Sequence, residues 1–584
     1  MAIRISDDIS AAATETSDGS STRGSIHRHR SHFRNERLAF LEVPSHSRDL
    51  EKDDSSQPPV ELPLRLEEPS RTRVLTLRSE QDDTPAVVLG RRFERTQRVH
   101  GMALEEALRR CYPVLEIEDD MKRQTVEDVV RPFVLDPDTV RKVRDTFRRE
   151  MELGLLTNPE RPSSLQMDVA HIPELPDGTE TGDVLALDLG GTNFRVLHLH
   201  LTPGSPARCR VQHYAVPGAA RTGPGEQLFD FLADCLRDFV EANGLAGQRL
   251  PLGFCFSFPI VQKALDAAVL TEWVVSYDCS GVVGEDVGRM LREAIRRRTD
   301  IEVDLVAIVN DTVGTLVQGA FMDCGCAIGL IMGTGSNGCY LEKTEKIQKI
   351  EAEPESRKRK DAPTEVIVNV EWGAFGDNGV LDFVKTELDR VVDDQSLFPG
   401  SFTFEKLLSG EFLGDIVRQI LVELVRRRAL FGGDETTVLE LEKHGTFTAV
   451  DVSRFLEEDD THARETVPRF MGSTEPIPED DITLIRHVCG VVSVRAAVLV
   501  SVCLAELLER VDKPTPVTIA VDGSLYKYHP RLRGHLEELI TTLVPERPFK
   551  LMLAENGSGK GAGLVAAVVE RLRSTKKNGY RESR

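Results

Sequence analysis

Short apolar runs that stop at glycine constrain this chain more than any other feature. Asp183-Val-Leu-Ala-Leu-Asp-Leu189 reads as a buried strand, Gly190-Gly-Thr-Asn193 as a tight turn, and Phe194-Arg-Val-Leu-His-Leu-His200 as the returning strand of a hairpin. Further strands are expected at 251–256, 303–309, 327–332 and 366–370, and helices at 140–153, 226–242, 284–298, 404–428 and 482–511. The theme repeats near the end: strand 517–521, turn Asp522-Gly-Ser524, helix, strand 549–553, turn Gly557-Ser-Gly-Lys-Gly561, helix. Strands alternating with helices, with glycine turns at strand ends, predict an α/β protein that holds a ligand between domains.

The 584 residues carry 73 Lys and Arg against 95 Asp and Glu, a formal charge of −22. The first hundred hold 16 basic and 17 acidic side chains, so the acidity belongs to the remainder. This balance disfavours nucleic acid and anionic membranes as partners. Residues 1 to about 100 have too few large apolar groups to offset the entropy of ordering, and they are expected to be disordered. Ten cysteines lie in apolar segments without a CxxC pair, which predicts buried free thiols in a reducing compartment and no zinc site. The N-terminus lacks an apolar leader, and the longest apolar stretch, Ala496 to Ala505, is too short to span a bilayer. A soluble intracellular protein is expected. Glu342 to Thr364, with Arg357-Lys-Arg-Lys360, reads as a solvated charged insertion in preference to a nuclear signal.

Three turns, Asp188-Leu-Gly-Gly-Thr-Asn193, Gly333-Thr-Gly-Ser-Asn337 and Gly557-Ser-Gly-Lys-Gly561, can point successive N–H groups at an anion. None has P-loop spacing, and the first joins strand to strand, which excludes the Rossmann fingerprint. Each alone could be an ordinary corner. Three together, with Asp522-Gly-Ser524 as a fourth, suggest how an acidic protein could cradle a polyphosphate. Asn310-Asp311 ends an apolar strand, where an Asp serves either as a general base or as a helix cap. Ser257, Glu371 and Glu405 are similarly ambiguous. As a set, Ser, Asn, Asp and Glu offer the donors and acceptors that a polyhydroxylated ligand needs.

Leu187-Asp-Leu-Gly-Gly-Thr-Asn-Phe-Arg-Val196, Leu252-Gly-Phe-Cys-Phe-Ser-Phe-Pro259, Asn310-Asp-Thr-Val-Gly-Thr315, Gly333-Thr-Gly-Ser-Asn-Gly-Cys-Tyr340, Glu371-Trp-Gly-Ala-Phe-Gly-Asp377, Val521-Asp-Gly-Ser-Leu-Tyr-Lys527 and Gly557-Ser-Gly-Lys-Gly-Ala562 resemble the eukaryotic hexokinase family in order and spacing. The resemblance covers about residues 113–575, one catalytic unit. It implies the actin-like ATPase (ribonuclease H-like) fold, with small and large α/β lobes around a cleft. The large domain would comprise 113–182 and 310–558, the small one 183–309 and 559–577, with 1–112 a disordered extension and 578–584 a tail.

The resemblance also implies the activity, transfer of phosphate from ATP to the 6-hydroxyl of a hexose, glucose first, as the opening step of glycolysis. Asp311, ionised at neutral pH, would be the base; Ser257, Asn310, Asn337, Glu371 and Glu405 would hold the sugar. Asp188, Gly190, Gly191, Thr192, Asn193 and Arg195 would lie at the phosphates, with Mg2+ carried by ATP near Asp188. Gly333, Thr334 and Gly335 would form the second phosphate loop, and Gly523, Ser524, Ser558, Gly559 and Lys560 would approach the adenosine. A cytoplasmic monomer or dimer without membrane insertion is expected, its extension a candidate arm for an unknown protein.

Two departures stand out. Val274-Val275 replaces the Thr-Lys pair that contacts sugar in the family, and Ala449 stands where a nucleotide-side Thr is usual. A charged hydrogen bond to a buried hydroxyl contributes about 1.5–3 kcal/mol. The alternative is therefore a hexokinase-like sensor that binds sugar or nucleotide with reduced or lost catalysis.

Overall fold

The computed structural model describes residues 101–582 apart from 192–193, 275–276, 299, 352–362, 458, 460 and 471–476. Its strands, in chain order, are β1 (Asp168–Val169), β2 (Gly182–Leu189), β3 (Phe194–Leu201), β4 (Arg208–Tyr214), β5 (Leu250–Phe256), β6 (Ile260–Ala264), β7 (Ala267–Leu270), β8 (Val303–Val309), β9 (Cys326–Met332), β10 (Ser336–Lys343), β11 (Glu365–Asn369), β12 (Val517–Asp522) and β13 (Phe549–Leu553). They form a five-stranded sheet of order β4-β3-β2-β5-β8, a six-stranded sheet of order β1-β11-β10-β9-β12-β13, and the β6-β7 hairpin. The glycine turns sit where expected on the strands: Gly190 and Gly191 follow β2, and Gly333–Gly335 joins β9 to its antiparallel partner β10.

The central strands β2, β5 and β8 pair in parallel and are mostly apolar because helices cover both faces, with Asp188 the buried exception near the end of β2. The helices used below are α1 (Pro137–Leu155), α2 (Gly225–Ala242), α3 (Val287–Arg297), α4 (Asp311–Met322), α5 (Thr403–Leu408), α6 (Gly410–Arg426), α7 (Glu479–Arg510) and α8 (Gly557–Glu582). On the five-stranded sheet, α8 packs over β2, β3, β5 and β8, while α2 and α3 pack together and touch β3 and β8 respectively. On the six-stranded sheet, α4 packs against β9 and β12. The helices α4 and α8 also pack on each other and so join the two layers. Among the described residues α7 is long and apolar enough to cross a membrane, but its whole apolar window is buried inside the protein. It is a core helix, and α1 and α6 pack against it.

Several expectations need correction. Residues 101–111, assigned to the disordered extension, form a helix whose Leu104, Ala107, Leu108 and Cys111 are buried; 1–100 lie outside the described residues. The helix over 404–428 is broken at Ser409, whose extended backbone separates α5 from α6. The helix expected from Gly284 begins at Val287, because Gly284 is left-handed and Asp286 supplies the cap. Glu342 does not head a solvated loop: it is buried on β10, paired with Arg510 and accepting a hydrogen bond from Tyr340. The rest of that segment, including Arg357–Lys360, lies outside the described residues. The last helix continues through 578–582 with no separate tail there.

Candidate active site

A cleft of about 810 Å³ opens where strand ends of the two sheets meet, and the glycine turns and several half-buried carboxylates line it together. At its centre stands Asp311, the first residue of α4. The cap belongs to its neighbour: Asn310 Oδ1 accepts from the Thr312 amide (2.9 Å) and hydroxyl (2.6 Å). Asp311 Oδ1 also accepts from the Thr312 amide (2.8 Å). Burial, reinforced by Asp188 and Asp522, pushes the Asp311 carboxyl up to about 7, so it is not the freely ionised group expected from sequence.

The Glu371 carboxylate is held by a relay of amides. Asn369 Nδ2 donates to Glu371 Oε1 (2.7 Å), and Asn310 Nδ2 donates to the same oxygen (3.2 Å). Asn337 Nδ2 in turn donates to Asn369 Oδ1 (2.9 Å). Glu371 sits at φ 52°, a left-handed backbone that a non-glycine residue keeps only where its surroundings enforce it. Burial raises Glu371 to about 8, and it raises Glu405 to about 7 despite a hydrogen bond from the Ser336 amide. Ser257 follows β5, its amide donating to Leu189 O (3.0 Å). Val274 lines the same wall, anchored by Trp273, whose ring stacks on Tyr277 (5.5 Å) and whose Nε1 donates to Cys279 O (2.9 Å). Val275 lies outside the described residues, as do Thr192 and Asn193.

At the other end Asp188 Oδ2 is paired with Arg195 (2.6 Å) and accepts from Ser558 Oγ (2.8 Å). Arg195 also donates to Asn556 Oδ1 (2.9 Å), tying β3 to the start of α8. Asp522 accepts from the Gly523 and Gly557 amides (2.8 and 2.7 Å) and so fixes two turns at once. Gly523 has φ 118°, and a Cβ there would come within 2.3 Å of Met332 O, so a side chain cannot be accommodated. Gly190, Gly191, Arg195, Gly333, Thr334, Gly335, Gly523, Ser524 and Ser558 all line the cleft. Gly559 instead packs on Asp188 and Leu197, and neither it nor Lys560 is among the residues lining the cleft. Among the described residues no three His, Cys, Asp or Glu side chains could hold a metal. An Mg2+ ion here would need a nucleotide's phosphates beside one or two carboxylates, which is the usual way that ion is held, and Asp188 and Asp522 line the cleft with the glycine turns.

Two hexokinase family models match residues 125–321 and 327–568. A solved hexokinase from Schistosoma mansoni, complexed with glucose, superposes with a TM-score of 0.70 at 37% identity, covering 77% of this chain and all of that one. The chain belongs to the hexokinase family. A second solved hexokinase gives a TM-score of 0.63 at 29% identity, over 77% of this chain and all of its own. Human hexokinase-1 is 39% identical over 463 residues, 78% of this chain, and rat hexokinase-2 is 40% identical over 456 residues. This hexokinase-family chain spans about half the length of those curated relatives. Its fold is the two-lobed actin-like ATPase arrangement expected of the family. Asn369, which the sequence did not single out, and Asp522, which it named only as part of a glycine turn, prove to be organisers of the hexokinase cleft.

Proposed function

We propose that the chain transfers the γ-phosphoryl group of ATP to the 6-hydroxyl of a hexose, glucose first, giving hexose 6-phosphate and ADP. The observation that carries this reading is Asp311: a half-buried carboxylate, raised to about 7, in one cleft with the glycine turns and with Glu371 and Glu405. Ser257, Asn310, Asn337, Glu371 and Glu405 hold the sugar hydroxyls. Glu371 and Glu405, raised to about 8 and about 7, are present partly as neutral acids and can donate as well as accept. Asp311 orients the 6-hydroxyl and receives its proton late, since phosphoryl transfer asks mainly for alignment and stabilised charge. Backbone N–H groups of the 190–191 and 333–335 turns, with Arg195, face the phosphates. Bound Mg2+ neutralises phosphate charge, and Asp188 with Asp522 would hold it. Exclusion of water from the cleft suppresses hydrolysis of ATP.

The free state of all ten cysteines suits a reducing cytoplasm, where this reaction would open glycolysis. The test is a coupled assay for glucose 6-phosphate with the wild type beside Asp311→Ala. Product from the wild type alone is expected; equal rates across several hexoses would sink the reading.

A further inference from the structure

The turn Gly333–Gly335 divides the cleft. Its Gly335 end faces the hexose carboxylates, the Glu405 carboxylate lying 3.1 Å from where a Cβ would stand. Its Gly333 end faces Gly523 and Gly410: the Gly410 amide donates to Gly333 O (3.0 Å), and the next amide, of Glu411, donates to Thr334 O (3.0 Å). A Cβ on Gly410 would fall 2.4 Å from Gly333 O, so α6 and the turn touch backbone to backbone. The break at Ser409 makes this contact and sets Glu411 against the turn at Thr334. Glu411, Phe412 and His444 line the cleft together with Ser524, Lys527 and Tyr528.

The other ionic groups there are already committed. Lys527 is paired with Glu555, and His444 Nδ1 lies 2.9 Å from Asp415 Oδ2. The Glu411 carboxylate forms no side-chain hydrogen bond among the described residues. The cleft walls push it upward and His444 draws it back toward ionisation. What leaves a polyphosphate at this point is a ribose, whose vicinal 2′- and 3′-hydroxyls present two donors to the two oxygens of one carboxylate.

Resting on the kinase reading, we propose that Glu411 recognises the nucleotide's ribose, its carboxylate accepting both hydroxyls of the 2′,3′-diol, and so selects ribonucleotides over deoxyribonucleotides. Glu411 is a specificity residue and takes no part in the chemical step.

Titration calorimetry of the full chain with MgADP, Mg-2′-deoxyADP and Mg-3′-deoxyADP tests this without turnover. The wild type is expected to bind ADP about tenfold to a hundredfold more tightly than either analogue, the value of one charged hydrogen bond. In Glu411→Met the ratio should fall below about threefold. The ratio is insensitive to the phosphate repulsion that the substitution also relieves. A wild-type ratio near one, an unchanged ratio in the variant, or a raised glucose KM with the ratio intact would overturn the assignment. Discrimination as expected without hexose 6-phosphate formation would sink the kinase reading and leave this one standing. A wild type that binds no nucleotide would overturn both.

Discussion

Asp311 and Asn310 divide two tasks that the sequence left merged. Asn310 supplies the cap that an Asp commonly gives at such a junction, so Asp311 is left with an oxygen for a substrate. Asp311→Asn should lower kcat by about a hundredfold to ten-thousandfold, the usual range for removing a general base, while glucose binding by fluorescence changes far less. Because the base form is the ionised one, wild-type kcat/KM should rise with pH through about 7. A profile flat from pH 6 to 8 would show that Asp311 titrates elsewhere. Val274→Thr returns one hydrogen-bonding group to the wall and should lower the glucose KM up to about tenfold; an unchanged KM would place the sugar away from that wall. Long motifs made Asp188, Asn310, Asp311, Asn337 and Glu371 legible, because each sits beside a glycine turn or at the end of an apolar strand. Asn369 and Glu411 were not legible, since what they do depends on partners 32 and 77 residues away, Asn337 and Thr334.

At the level of elements, apolar periodicity located the long strands and helices, but tertiary contacts set their ends. The helix over 404–428 has no proline to break it; the interruption at Ser409 goes with the Gly333–Gly335 turn, whose carbonyls receive the next two amides. The edge strand β1 has two residues and is too short to be seen, and the edge strand β4 buries none of its side chains fully, so it carries no apolar run. The crossing of α4 and α8 was also invisible, although it holds the site together. A Cβ on Gly561 would lie 1.9 Å from Gly314 O, and one on Gly314 would lie 2.4 Å from Ser558 O. Gly561→Ala must therefore push α8 off α4. It should cost about 1–3 kcal/mol in urea unfolding and lower kcat by displacing Ser558 from Asp188. Wild-type stability in that variant would show that the helices can separate freely.

Across the whole molecule, the charge of −22 argues against a nucleic-acid partner but says little about a nucleotide, which local N–H groups and Arg195 can receive. The buried acids tie stability to pH. Glu371 is raised in the folded state, so its contribution is greatest below its unfolded value and is lost as pH rises toward about 8. Between about pH 5 and 8 the ligand-free wild type should lose more of its Tm than Glu371→Gln; parallel curves would refute this. The α4–α8 crossing has a mechanical consequence. One helix packs on each sheet, and they meet without side chains between them, so any relative movement of the sheets has its fulcrum there. Asp311 and Ser558, on those two helices, sit close to the fulcrum and sweep short arcs. Exposed lining residues such as Leu397 sweep longer ones. The molecule is a nutcracker whose rim can travel far while its reacting atoms stay nearly in register.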